Sequence, residues 1–165
     1  MSSPNYLSPT AFRVIIPRMP TLTDYIQTVS IPSLTINSMD IQYKGFPRVS
    51  APSSLDLTDQ IVVNFAVDED MENWQEVYNW MNSIVLTSTN NGYINPNTEL
   101  YSDIIVLTYT NAKKPKKKFT FHQCYPVSMM SFEFNSMTTE IDPIMVNCNF
   151  AYKTYEIETL AVGTP

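Results

Sequence analysis

Residues Gln60–Ile84 read QIVVNFAVDEDMENWQEVYNWMNSI, and the fold turns on where this stretch changes period. Over Gln60–Val67, the apolar residues Ile61, Val63, Phe65 and Val67 fall on every second position, which puts one face of a β-strand into a core. From Met71 onward the spacing becomes three and four: Met71, Trp74, Val77, Tyr78, Met81 and Ile84 lie on one face of a helix. That face is expected to pack on the body of the protein, with Trp80 on its flank as a second contact. Between the two periods stand Asp68, Glu69 and Asp70. Asp68 suits the N-cap of a helix over Glu69–Ile84, and Glu69, Asp70 and Glu72 complement the helix dipole by about 0.3–1 kcal/mol each. The acids thus read as architecture.

Outward from this hinge the chain reads as β-structure. Short apolar runs over Ala11–Ile16 and Tyr25–Ile31 each stop at a proline, and PRMPTLTD between them reads as a turn or short connection. In Ser33–Tyr43 the apolar parity switches between Ile36 and Met39, which predicts a bend or bulge. Lys44–Asp59, with two prolines and a glycine, reads as a long loop or exposed hairpin of the kind compact domains carry for a use. After the helix, Thr87–Leu100 is a polar loop with Asn-Gly and Asn-Pro turn signals. Tyr101–Thr110 and Phe119–Cys124 then read as a hairpin around NAKKPKKK. Pro126–Phe134 is a strand and Ile144–Glu158 a long last strand. The ends, 1–10 and 159–165, read as an extended arm and a frayed tail of a single domain, 1–165.

Charge is sparse and unevenly placed. Charged residues make up 16% of the 165, against about 25% in an average domain. Five of the ten basic residues are Lys113, Lys114, Lys116, Lys117 and Lys118; the other five face sixteen acids over the rest of the chain. An acidic body with one basic spot disfavours nucleic-acid binding over its surface. The N-terminus has no basic and then apolar pattern of a signal peptide, and no run reaches the ~18 apolar residues of a membrane span. Cys124 and Cys148 make no disulfide framework and read as buried thiols.

No constellation for catalysis is present in the sequence. The acidic triplet lacks the further oxygen ligands of a calcium loop, and His122, the only histidine, has no second histidine for zinc and no nucleophile beside it. Three glycines, Gly45, Gly92 and Gly163, build neither a phosphate-binding loop nor a nucleophile elbow. The lysine run reads either as a solvated hairpin tip whose charges block edge pairing or as a contact for phosphate or an acidic partner. The expectation is a protein without enzymatic activity and without a cofactor.

The order of features is similar to that of the tail tube proteins of contractile-tailed bacteriophages and the related junction proteins between baseplate and tube. The features are QIVVNFAVDED running into the aromatic helix, the long loop before it, the hairpin after it, F-x-F-x-x-C-x-P-x-S at Phe119–Ser128 and F-x-Y-x-x-Y-E at Phe150–Glu156. The resemblance runs from about Ala11 to Glu158. It implies a mainly β fold, a β-sandwich or partly closed barrel with one flanking helix. It further implies homo-hexameric rings that stack into a tube, with sheath and baseplate proteins as partners. DNA would pass an acidic lumen without specific binding, in a virion assembled in the bacterial cytoplasm. On this pattern the 40–59 segment makes the contact between rings, through Lys44, Phe46, Arg48, Val49 and Leu55. The same resemblance extends to specialised members such as a tube initiator, a hub adaptor or a tail terminator, and to type VI secretion tubes. A monomeric sugar-binding β-sandwich using Tyr43, Phe46 and Tyr93 is the alternative of another class.

Overall fold

The computed structural model describes residues 5–42, 44–45, 49–89, 100–137, 139 and 141–160. In chain order the elements are β1 (Phe12–Ile15), α1 (Pro20–Tyr25), β2 (Ile26–Ser30), β3 (Thr35–Ile41), β4 (Val49–Asp56), β5 (Ile61–Ala66) and α2 (Glu72–Thr89). They continue as β6 (Ser102–Tyr109), β7 (Pro115–Met129), β8 (Met145–Ala151) and β9 (Thr154–Thr159). All pairings are antiparallel. One sheet runs β1-β6-β7-β8-β5-β2 with β9 also on β7, and β3-β4 form a sheet of their own.

The long strand β7 makes two layers out of that one sheet. Its first part pairs with β6 and with β9, and its last part pairs with β8. The pairs His122↔Thr154 and Tyr125↔Ala151 share one register, so β8 and β9 are two parts of a single run along β7. The single last strand expected over Ile144–Glu158 is therefore interrupted at Tyr152–Lys153. Opposite that break, Gln123 takes a left-handed backbone (φ 53) and its N–H is held by Asp103 Oδ1 at 3.1 Å. A left-handed residue turns a strand out of its pleat. The ribbon leaves the β1-β6-β9 layer there and enters the β2-β5-β8 layer. The expected separate strands Phe119–Cys124 and Pro126–Phe134 are thus one bent strand, β7, which also takes in the end of the lysine run.

The inward side chains of both layers make the core, including Val14, Ile61, Val63, Phe65, Ile104, Val106, Phe121, Val146, Cys148 and Phe150. Their alternation is the one the sequence dictates: β5 reads buried at Ile61, Val63 and Phe65. The sheet does not close. Between the edges of β1 and β2 lies a cleft of about 670 Å³, lined by Phe12, Val14, Ile26, Val29, Val106 and Phe119 among others.

Two local expectations need correction. PRMPTLTD is not only a connection: Pro20–Tyr25 forms α1, with a proline in the first turn and Leu22 fully buried. Proline is compatible with the first helical position because its missing N–H would be unpaired there anyway. The second half of the 40–59 segment is β4, so the hairpin alternative describes it and the loop alternative does not. Pro52 is tolerated because, among the described residues, β4 pairs only with β3, leaving its other edge without a strand. The parity switch expected within Ser33–Tyr43 coincides with the register shift between Asn37 and Ser38 of β3.

Candidate assembly surfaces

The join between β5 and α2 is built around a residue that sequence periodicity passes over. Asn73 is fully buried, the one buried polar residue among those described. Its Nδ2 donates to the Ala66 carbonyl at 2.8 Å and its Oδ1 accepts from the Asp68 N–H at 3.2 Å. It thereby satisfies the end of the strand and the turn that follows. Asp68 does not cap the helix. Its carbonyl accepts from the Met71 N–H and its Oδ1 from the Glu69 N–H, closing a turn, and Met71 is left-handed (φ 56). The helix therefore begins at Glu72, later than the expected Glu69, with Glu72 the acid in its first turn.

The later start goes with a rotated face. Val77 and Trp80 are the fully buried apolar residues among the described side chains of α2. Trp74, Met81 and Ile84 are half-buried against the core. Tyr78, expected on the packing face, is 47% exposed and stacks on Trp74 at 5.5 Å. Trp80, expected on the flank, is central. Its Nε1 donates to the Leu100 carbonyl at 2.9 Å, its ring meets Phe150 at 5.9 Å, and the Arg18 guanidinium lies 5.1 Å over it. Met71 is not in the helix.

The hairpin β3-β4 stands apart from the core. Leu34, Ile36, Met39 and Leu55 are each more than half exposed, and Ile36 lies directly opposite Leu55. A two-stranded hairpin is marginal alone in water, and exposed apolar rows mark contact surfaces. Its base is tied down by Asp59, whose Oδ2 accepts from the Ser33 N–H at 2.7 Å and from the Ser33 hydroxyl at 2.8 Å. These bonds, with one from the Gln60 N–H, hold the Asp59 carboxyl below its ordinary range. Of the residues expected to make the contact between rings, Leu55 is on this hairpin, and Lys44 is exposed in the turn next to Gly45. Val49 opens β4. Phe46 and Arg48 lie outside the described residues, as do Tyr43 and Tyr93.

The lysines sit at and after the β6-β7 turn. Lys118 Nζ pairs with Glu158 Oε2 at 3.1 Å across β7-β9, and Lys117 Nζ donates to the Thr159 hydroxyl. His122 is a strand tie. Its Nδ1 lies 3.2 Å from Asp103 Oδ2 on β6, and its Nε2 lies 3.5 Å from Glu156 Oε1 on β9. The two carboxylates meet opposite sides of the ring, so they do not converge on one point, and among the described residues no His/Cys/Asp/Glu group can hold a metal ion. Burial pushes the thiols of Cys124 and Cys148 up to about 12, which keeps them protonated and unreactive. No helix among the described residues is long and apolar enough to cross a membrane.

Residues 16–158 match the family model of the phage tail tube protein. No curated protein matches the chain by sequence. Among solved structures, the chain is similar to one in the anti-feeding prophage cap, described as a tube-terminating cap. The TM-score is 0.71 at 14% identity, over 97% of this chain and 95% of that one. It is similar to a chain of the sheath-tube complex of an extracellular contractile injection system, with TM-score 0.67 at 14% identity over 94% and 93%. It is also similar to a chain of the sheath/tube terminator of that system, with TM-score 0.68 at 15% identity over 95% and 99%.

Proposed function

The chain belongs to the phage tail tube protein family, and from that premise we propose that it forms homo-hexameric rings that stack into the tube of a contractile tail, the channel for genome ejection. Its role is structural, in a phage tail or phage-tail-like particle. The observation that carries the ring and stack is the β3-β4 hairpin, which presents Leu34, Ile36, Met39 and Leu55 to solvent away from the core. A neighbouring subunit would cover that apolar row. Sheath and baseplate proteins are the further partners, and particles of this kind would be put together in the host cytoplasm. Sixteen acids against ten basic residues would keep DNA from adhering to the channel wall.

The test is the mass of the purified protein by light scattering, with negative-stain images of the same sample. Six-fold rings or tubes are expected. The Ile36→Ser/Leu55→Ser variant should keep the melting temperature of the dilute, unassembled subunit and lose stacking. A wild-type protein that stays a monomer at every concentration would sink the tube reading. Single rings that never stack would move the chain to a tube initiator, hub adaptor or terminator. The likeness of its fold to the tube-terminating cap chain, at a TM-score of 0.71, gives that second reading its support.

A further inference from the structure

The lysine run is the feature that neither the core nor the hairpin contact uses. Lys117 and Lys118 are engaged with Thr159 and Glu158 on β9. Lys113, Lys114 and Lys116 are exposed and have no ion pair among the described residues. The turn that carries them is firmly built. The Lys113 N–H donates to the Thr110 carbonyl at 2.8 Å, and the Thr110 N–H to the Lys114 carbonyl at 2.9 Å. Asn111 Nδ2 reaches Asn5 Oδ1 at 2.7 Å, which lays the N-terminal segment along the tip. Two clefts result, one of about 540 Å³ with Arg13, Thr110 and Lys113 in its wall, the other of about 270 Å³ with Tyr109, Lys116 and Lys117. Arg13 also meets Asp24 of its own chain at 3.9 Å. Ammonium groups, hydroxyls and amides around a concave tip suit carboxylates.

The same chain offers carboxylates of matching extent elsewhere. Glu69, Asp70 and Glu72 are exposed at the turn into α2 and have no ion pair among the described residues. The negative potential there is felt by Tyr25, whose hydroxyl is pushed up, first by Asp68 and also by Asp24 and Asp70. The two patches are far apart along the ribbon. The Val67 N–H meets the Ile144 carbonyl just before β8, whereas the Leu160 N–H meets Lys116 just after β9. From Met145 to Thr159, at about 3.3 Å a residue, the contour is roughly 45 Å. Complementary patches at different places on one chain make a head-to-tail contact, which propagates from copy to copy.

We propose that the Lys113–Lys116 tip is a docking site for the acidic turn Glu69–Glu72 of a second copy of this chain, joining successive subunits head to tail. The contact rests on the tube reading and adds to it a charged joint beside the apolar hairpin. Exposed charges carry it, so salt weakens it.

Charge reversal tests it. One variant carries Lys113→Asp, Lys114→Glu and Lys116→Glu; aspartate at 113 suits the left-handed backbone found there (φ 57). The other carries Glu69→Lys, Asp70→Lys and Glu72→Lys. Thermal melts establish that each is folded, and sedimentation with negative-stain imaging at low and high salt reads stacking. Each variant alone places like charges together and should lose at least about tenfold in stacked material. In an equimolar mixture the reversed tip of one variant meets the reversed turn of the other, and the native tip meets the native turn, so opposite charges face each other at alternating joints and stacking should return. Rings that stack normally from the tip variant alone, or a mixture that stays unstacked, would overturn the joint and leave the ring reading standing. A tip variant that stacks normally but no longer binds a sheath or baseplate protein would assign the lysines to that partner and overturn the joint too. A wild type that forms no assembly at any salt would overturn both.

Discussion

Asn73 and Asp59 show two ways in which a single polar side chain can hold backbone in place. Asn73 pairs one donor and one acceptor of the chain where strand gives way to helix, and it is itself closed off from solvent. Asn73→Ala should cost about 1–3 kcal/mol for each backbone group it orphans. Chemical denaturation measures this, and a midpoint equal to wild type would contradict it. Asn73→Asp can still accept from Asp68, but as a carboxylate it cannot donate to Ala66, and its unpaired buried charge should cost at least as much as the alanine. Nothing in the sequence marks this residue, because amphipathic periodicity counts apolar positions and reads an asparagine inside a helix as neutral. Asp59 acts at the surface, and its role depends on pH. Its folded pKa is lowered from the ordinary 3.8 by the Ser33 and Gln60 hydrogen bonds. A lowered carboxyl pKa contributes above the unfolded value and loses that contribution as pH falls through the folded one. The Ser33 amide resonance should therefore hold steady through neutral pH and shift only in acid below 3.8, whereas Asp59→Asn should shift it already at neutral pH. An unshifted Ser33 amide in that variant would sink the role of Asp59 in holding the hairpin base.

At the level of elements, helix α2 separates what was legible from what was not. The change of period after Val67 and the presence of an aromatic helix were readable from Gln60–Ile84. The inward residue was not. Trp74 and Tyr78 satisfy a three-and-four spacing as well as Asn73, Val77 and Trp80 do, and the choice depends on where the helix begins. The left-handed Met71 fixes that start. Trp80→Ala should cost about 3–5 kcal/mol, the range for a large aromatic removed from a core. Trp74→Ala should cost clearly less, since Trp74 sits half outside with exposed Tyr78 stacked on it. Equal losses on denaturation would contradict the assignment of the face. The same limit explains α1 and β4. A six-residue helix is shorter than two turns of its own period, and Pro52 in β4 hides a strand because pattern reading treats proline as a breaker unless the free edge is known. The bend in β7 was invisible because it depends on Gln123 opposite Tyr152–Lys153, a long-range pairing.

For the whole molecule, the decisive property is that the sheet stops short of closing. β1 and β2 face each other across an apolar cleft, and among the described residues the backbone edge of each has no strand partner there. Soluble proteins protect such edges with charge, proline or a covering element. β2, reading IQTVS, has neither charge nor proline, and the hairpin that follows it adds an exposed apolar row. A subunit left this way gains by association, since burying apolar area and pairing edges lowers its free energy only in company. Anything that binds the folded state and not the unfolded one raises its stability by mass action. The melting temperature should therefore rise with protein concentration, across at least about a hundredfold range, by an amount that follows ring formation. The Ile36→Ser/Leu55→Ser variant should keep the part of that rise that comes from closing rings and lose the part that comes from stacking them. A wild-type melting temperature that does not move with concentration would mean that the open cleft and the hairpin are stable uncovered. The reason for reading this chain as an assembling subunit would then rest on family membership alone.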